Sequence, residues 1–185
     1  MTGASAIWAT DLVAVATIGL LAVAAMSDLA TRTIPDEACI ALALLGCGAR
    51  LLAGTAALAV SAGVAIGLFA VLVLAHARGA LGGGDVKLAA AMALGLAPAQ
   101  TYRFLVATVL AGGVLSLLHL ILRRAPPPAR LAVRSPEAGR SLRRASVIRR
   151  VIVAERWRIR RKGSLPYGIA IACGGAWVTL TGVGG

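Results

Sequence analysis

The sequence predicts an all-α fold: a polytopic membrane protein with about six transmembrane helices. Three observations predict it. Runs of roughly 20 apolar residues recur along the chain, each long enough to cross a hydrocarbon core of about 30 Å as a helix. Hydrophobic residues make up 59% and charged residues 14% of the chain, where a soluble domain has about 45–50% and about 25%; mean hydropathy is +0.87. Charge is also segregated. Residues 123–163 hold 14 of the 19 Lys and Arg but 2 of the 7 Asp and Glu, so the whole net charge of +12 lies in one segment between apolar runs. A closed β-barrel is the other way to span a bilayer, but strict alternation is absent, and Ala and Leu dominate.

The elements follow in order. The first span covers about 7–27, with Asp11 within reach of the headgroups at its start. A polar break, Ser27 to Glu37, separates it from a second span over about 38–53. In that break Thr33 can cap, Pro35 suits a first turn, and Asp36 and Glu37 favour the positive end of a helix. A turn at Gly54-Thr55 leads to a third span over about 56–77. The fourth is only about 13 residues if it begins at Val86. It is therefore expected to start near Gly83 and run to about Thr101, with Asp85 just inside the bilayer boundary. The fifth covers about 103–122 and the last about 164–182, and the whole chain, 1–185, is read as one domain. Segment 123–163 reads as a basic cytoplasmic loop. Its basic residues alternate with Leu142, Val147, Ile148, Trp157 and Ile159, the pattern of an amphipathic helix lying on an anionic leaflet. No nucleic-acid partner is expected, since the rest of the chain holds 5 basic and 5 acidic residues and carries no net charge.

If the basic loop is cytoplasmic, six spans thread only one way. Both termini and the turns near 54 and 99 then lie outside. The Asp28 break, the Gly82–Asp85 stretch and the basic loop lie inside. Asp28 and Asp85 thus share one face at similar depth. An ionisable residue near membrane depth is costly and marks a candidate functional site. Two carboxyls brought together share a proton, so one can act as a general base on water and the other as a general acid toward a carbonyl. Gly82, Gly83 and Gly84, which lack Cβ atoms, would give an extended substrate backbone room beside Asp85. Structural ion pairs are the competing reading, Asp28 with Arg32 and Asp85 with Lys87 or Arg78. His76 and His119 read as structural or interfacial, and Cys39, Cys47 and Cys173 as buried thiols outside any CxxC pair. No metal site or cofactor is expected.

At these residues the chain resembles the prepilin peptidases of the GxGD aspartic membrane protease group. Gly82-Gly83-Gly84-Asp85-Val86-Lys87-Leu88 matches their GxGDVKL stretch. Asp28-Leu29 followed by Ile34-Pro35-Asp36 is similar to a second motif, an Asp followed six residues later by Ile-Pro-Asn, here with Asp36 for Asn. Leu165-Pro166-Tyr167-Gly168 is similar to a Pro-Phe-Gly-Pro motif, with Ile169 in place of the second Pro. The resemblance implies a GxGD membrane protease-like fold and catalysis by Asp28 and Asp85. It implies supporting or substrate-binding roles for Gly82, Gly83, Gly84, Lys87, Pro35, Pro166 and Gly168. The implied activity is removal of leader peptides from type IV or Flp-type prepilins at the cytoplasmic face of the inner membrane. The long bifunctional members have a four-cysteine zinc motif absent here, so the chain resembles the short, tight-adherence type, which puts N-methylation of the mature pilin in doubt. Two alternatives stay open: a peptidase of this kind for another substrate, and a non-enzymatic scaffold or small transporter subunit. The Gly63/Gly67 spacing and the basic loop would suit the latter.

Overall fold

The computed structural model describes residues 3–124 and 167–183; the basic segment beyond residue 124, with Pro166, lies outside the described residues. The described elements are all helices: α1 (Gly3–Thr31), α2 (Asp36–Leu52), α3 (Thr55–Ala77), α4 (Gly83–Leu94), α5 (Pro98–Arg124) and α6 (Tyr167–Val183). Three are long and apolar enough to cross a membrane, over Asp11–Thr31, Thr55–Ala77 and Pro98–Ile121, and a shorter apolar helix covers Tyr167–Gly182. Large apolar side chains such as Leu12, Ile66, Val71 and Leu110 face outward, as a lipid-facing surface requires. The chain divides into two compact units, and residues 114–124 belong to the second. Everything below concerns the first.

Within it α4 is the central helix. It packs against α2, α3 and α6, and Val86, Leu88, Ala89, Ala91, Met92 and Ala93 bury it on nearly every side. A helix apolar all round belongs in a core. Leu21 and Ala24 of α1, Cys39 and Leu42 of α2, and Ile171 of α6 complete that core. Small residues allow the close approaches. A methyl group on Gly46 would lie 2.6 Å from the Cα of Gly95, and one on Gly175 would lie 2.8 Å from Leu21.

Two expectations are corrected. First, 83–101 is not one helix. α4 ends at Leu94 with Gly95 as its C-cap, and α5 starts at Pro98. A proline ring within a continuing helix would clash with the carbonyl four residues back, here that of Leu94. Pro98 is instead accommodated in a first turn, and the Gln100 side chain accepts the Ala97 N–H at 3.0 Å. At 12 residues α4 is only roughly 18 Å long, too short to cross the core alone. Second, Thr33 does not cap α2. Its hydroxyl lies 2.7 Å from that of Thr31, and Pro35, extended at φ −62° and ψ 133°, is itself the N-cap.

Candidate active site

Helix reversal brings five features to one end of the bundle: the end of α1, the start of α2, the end of α3, the start of α4 and the start of α6. α1 stops where Arg32 takes a left-handed backbone, φ 59°, and its N–H reaches back to the Asp28 carbonyl at 2.9 Å, a C-terminal capping turn. Asp28 therefore sits in the last full turn of α1. It is buried, and its Oδ2 accepts the backbone N–H of Gly168, in the first turn of α6, at 2.9 Å. A methyl group on Gly168 would lie 2.8 Å from that oxygen and 3.0 Å from Asp28 Cβ and Cγ. Only glycine lets the α6 backbone come close enough to donate.

Asp85 occupies the third position of α4. The Gly82 N–H hydrogen-bonds its carboxylate, half of a reciprocal capping arrangement at a helix start. A methyl group on Gly82 would lie 2.9 Å from Asp85 Oδ2. Both Asp28 and Asp85 stand at this end of the bundle, within Coulombic reach of one another.

The supporting residues find different partners. Gly84 faces Ile34, whose Cβ would lie 3.1 Å from an added methyl group, and a methyl group on Gly83 would lie 3.6–3.7 Å from the His76 ring. None of Gly82, Gly83 and Gly84 has a positive φ. These glycines therefore serve close approach of the chain's own side chains, and the room anticipated over Gly84 for a substrate backbone is filled by Ile34. Lys87 pairs with neither aspartate of the centre: its ammonium lies 2.8 and 3.0 Å from the two carboxylate oxygens of Asp36. Pro35 stands between Ile34 and Asp36, ending the linker.

Two further residues shape this end, and sequence reasoning missed the contact that one of them, Asp36, makes. His76 Nδ1 lies 2.7 Å from the Leu81 carbonyl, fixing the turn that delivers Asp85, a structural role as its sequence reading expects. Asp36, a helix-start charge and a motif position in the sequence, reaches across to Lys87 of α4. Cys39 is buried as expected, but Cys173 is exposed. Among the described residues no three His, Cys, Asp or Glu side chains gather as a metal would require. An apolar groove of about 540 Å³ between α2, α3 and α4, lined by Cys39, Ala43, Ala65, Phe69 and Ala91 among others, opens beside this end, with Asp36 and Lys87 on its walls.

Comparison with known proteins decides the family. The model of the type IV leader peptidase family matches residues 15–117. The chain belongs to that family. The match takes in Asp28, Asp85 and their surroundings, and ends before α6. No curated protein and no solved structure matches the chain. As a type IV leader peptidase family member with long apolar helices, it is a membrane peptidase.

Proposed function

We propose that this chain is an aspartic endopeptidase that removes the leader of type IV or Flp-type prepilins at the cytoplasmic face of the bacterial inner membrane, with Asp28 and Asp85 as its catalytic carboxyls. The observation that carries the proposal is the convergence of these two carboxylates from α1 and α4 at one end of the bundle. The basic segment supports the cytoplasmic placement through its charge. It would also hold that face to an anionic leaflet.

Two adjacent carboxyls resist ionising together, so the working state has one protonated. The ionised carboxylate takes a proton from water as the water oxygen attacks the scissile carbonyl carbon. The protonated carboxyl gives its proton to the carbonyl oxygen. The resulting diol collapses, and the C–N bond breaks. The leaving nitrogen receives the proton taken from water, and a diol proton returns to the second carboxyl, so the pair ends as it began. No cofactor enters. The Gly168 N–H orients Asp28 and the Gly82 N–H orients Asp85, so both groups are held before substrate arrives.

The test is co-expression with an Flp-type prepilin, followed by mass spectrometry of the product. Asp28→Ala and Asp85→Ala are each expected to slow leader removal by on the order of 10³-fold or more. Full cleavage by both variants, or by Asp28→Asn and Asp85→Asn, would sink the proposal in favour of a non-enzymatic component. A different cleaved protein would keep the chemistry and replace the substrate.

A further inference from the structure

The Asp36–Lys87 ion pair joins residues 51 positions apart. Asp36 begins α2, directly after the linker that follows Asp28, and Lys87 lies two residues beyond Asp85. Two residues along a helix is a rotation of roughly 200°, so Lys87 points away from Asp85 and toward α2. A second contact lies on the other side of Asp85: Ile34 packs on Gly84. Ile34 and Asp36 flank Pro35, while Gly84 and Lys87 flank Asp85, so the linker grips the first turns of α4 at two points. Both partners line the groove between α2 and α4, and the ion pair bridges those walls. Its side chains are 53% and 63% exposed, and exposed ion pairs contribute little to stability. What the pair does supply is a direct contact, at 2.8 and 3.0 Å, between the start of α2 and the first turns of α4.

We infer that Asp36 and Lys87 are positioning residues: their ion pair, together with Ile34 on Gly84, sets the register between the Asp28 linker and the helix turn that carries Asp85. The inference rests on the proposed catalytic role of the two aspartates. Neither Asp36 nor Lys87 need touch substrate.

The experiment measures prepilin cleavage by the full-length protein in membranes, with kcat and KM separated. Lys87→Met and Asp36→Leu are expected to lower kcat about 10- to 100-fold, the scale of a misplacement near 1 Å, with KM within about twofold. Their amount in the membrane and Tm should match the parent. Asp36→Asn, which keeps an acceptor for the ammonium, should recover most of the loss seen with Asp36→Leu. The exchange Asp36→Lys with Lys87→Asp should regain kcat relative to either single change. Parental kcat in Lys87→Met, a loss confined to KM, or an exchange no better than the single changes would overturn the inference. Asp85→Asn in the same assay separates the two readings. If Asp85→Asn cleaves normally, the catalytic assignment fails; if it is inactive while Lys87→Met is normal, only the positioning role fails.

Discussion

Asp28 is seated on Gly168, 140 residues away along the chain, whereas Asp85 is seated on Gly82, three residues away. The chemistry of the two seats is alike: a backbone N–H meets the carboxylate where a methyl group would collide with it. Their support differs. The Asp85 seat is part of a helix start and needs only α4 to form. The Asp28 seat exists only when α6 docks on α1, so the first carboxylate is aimed by tertiary packing and the second by local backbone geometry. Disturbing the packed seat should therefore cost both stability and chemistry, and disturbing the local one should cost chemistry alone.

The largest effect is expected at the packed seat. Gly168→Ala places a methyl group 2.8 Å from Asp28 Oδ2 and 3.0 Å from its Cβ and Cγ. Asp28 is buried among helices and cannot swing clear, so α6 must shift and the hydrogen bond lengthens. Overpacking of this kind costs about 1–3 kcal/mol. The displaced carboxylate should lower kcat on the order of 10²-fold. Thermal unfolding and prepilin cleavage measured on one preparation check both. Parental cleavage by Gly168→Ala would mean that Asp28 needs no such seat.

Gly82→Ala should do less and do it differently. The backbone there, φ −73° and ψ 145°, suits any residue, so no strain is introduced. The new methyl group meets only the tip of the Asp85 side chain, at 2.9 Å, and that tip can rotate. Tm should stay within the spread of a surface change, about 0.5 kcal/mol. The re-aimed carboxylate should lower kcat by about tenfold. A Tm loss as large as that of Gly168→Ala would erase the distinction between a packed and a local seat.

The same contrast explains what could be read from the residues. Apolar run lengths and the single basic segment were enough to order the helices and to put the Asp28 break and the Gly82–Asp85 stretch at one end. The Asp85 seat was partly legible, because its glycine is a neighbour in sequence. The motif resemblance implies only a supporting role for Gly168; that it lies against Asp28 is seen in the fold alone, since no local pattern links α1 to α6. Apolar residues face lipid and helix neighbours alike, so periodicity does not reveal which face of a membrane helix is buried. For that reason the apolar run around Cys173 does not show that this thiol is exposed, nor does sequence show the groove beside Asp36. The division of 83–101 at Leu94 is legible in Pro98, but the length a membrane span needs argues the other way. The Asp36–Lys87 pair was invisible because each residue had a plausible partner or role closer at hand.

The smallest effect, and the sharpest test of the seats, concerns the next glycine. In the sequence Gly82, Gly83 and Gly84 look interchangeable, and a shared purpose such as room for substrate would make each of them sensitive. In the fold they have different neighbours. A methyl group on Gly83 would sit 3.6–3.7 Å from the His76 ring, an ordinary contact distance, while on Gly84 it would press on Ile34 at 3.1 Å. Gly83→Ala also replaces glycine at a position inside a helix, where restricting the unfolded chain stabilises by about 0.4–1 kcal/mol. It is therefore expected to cleave within about twofold of the parent and to melt slightly higher, with Gly84→Ala falling between it and Gly82→Ala. A Gly83→Ala loss equal to that of Gly82→Ala would mean that the three glycines act as one substrate channel. The graded order 82, 84, 83 would instead show that each answers to the side chain above it.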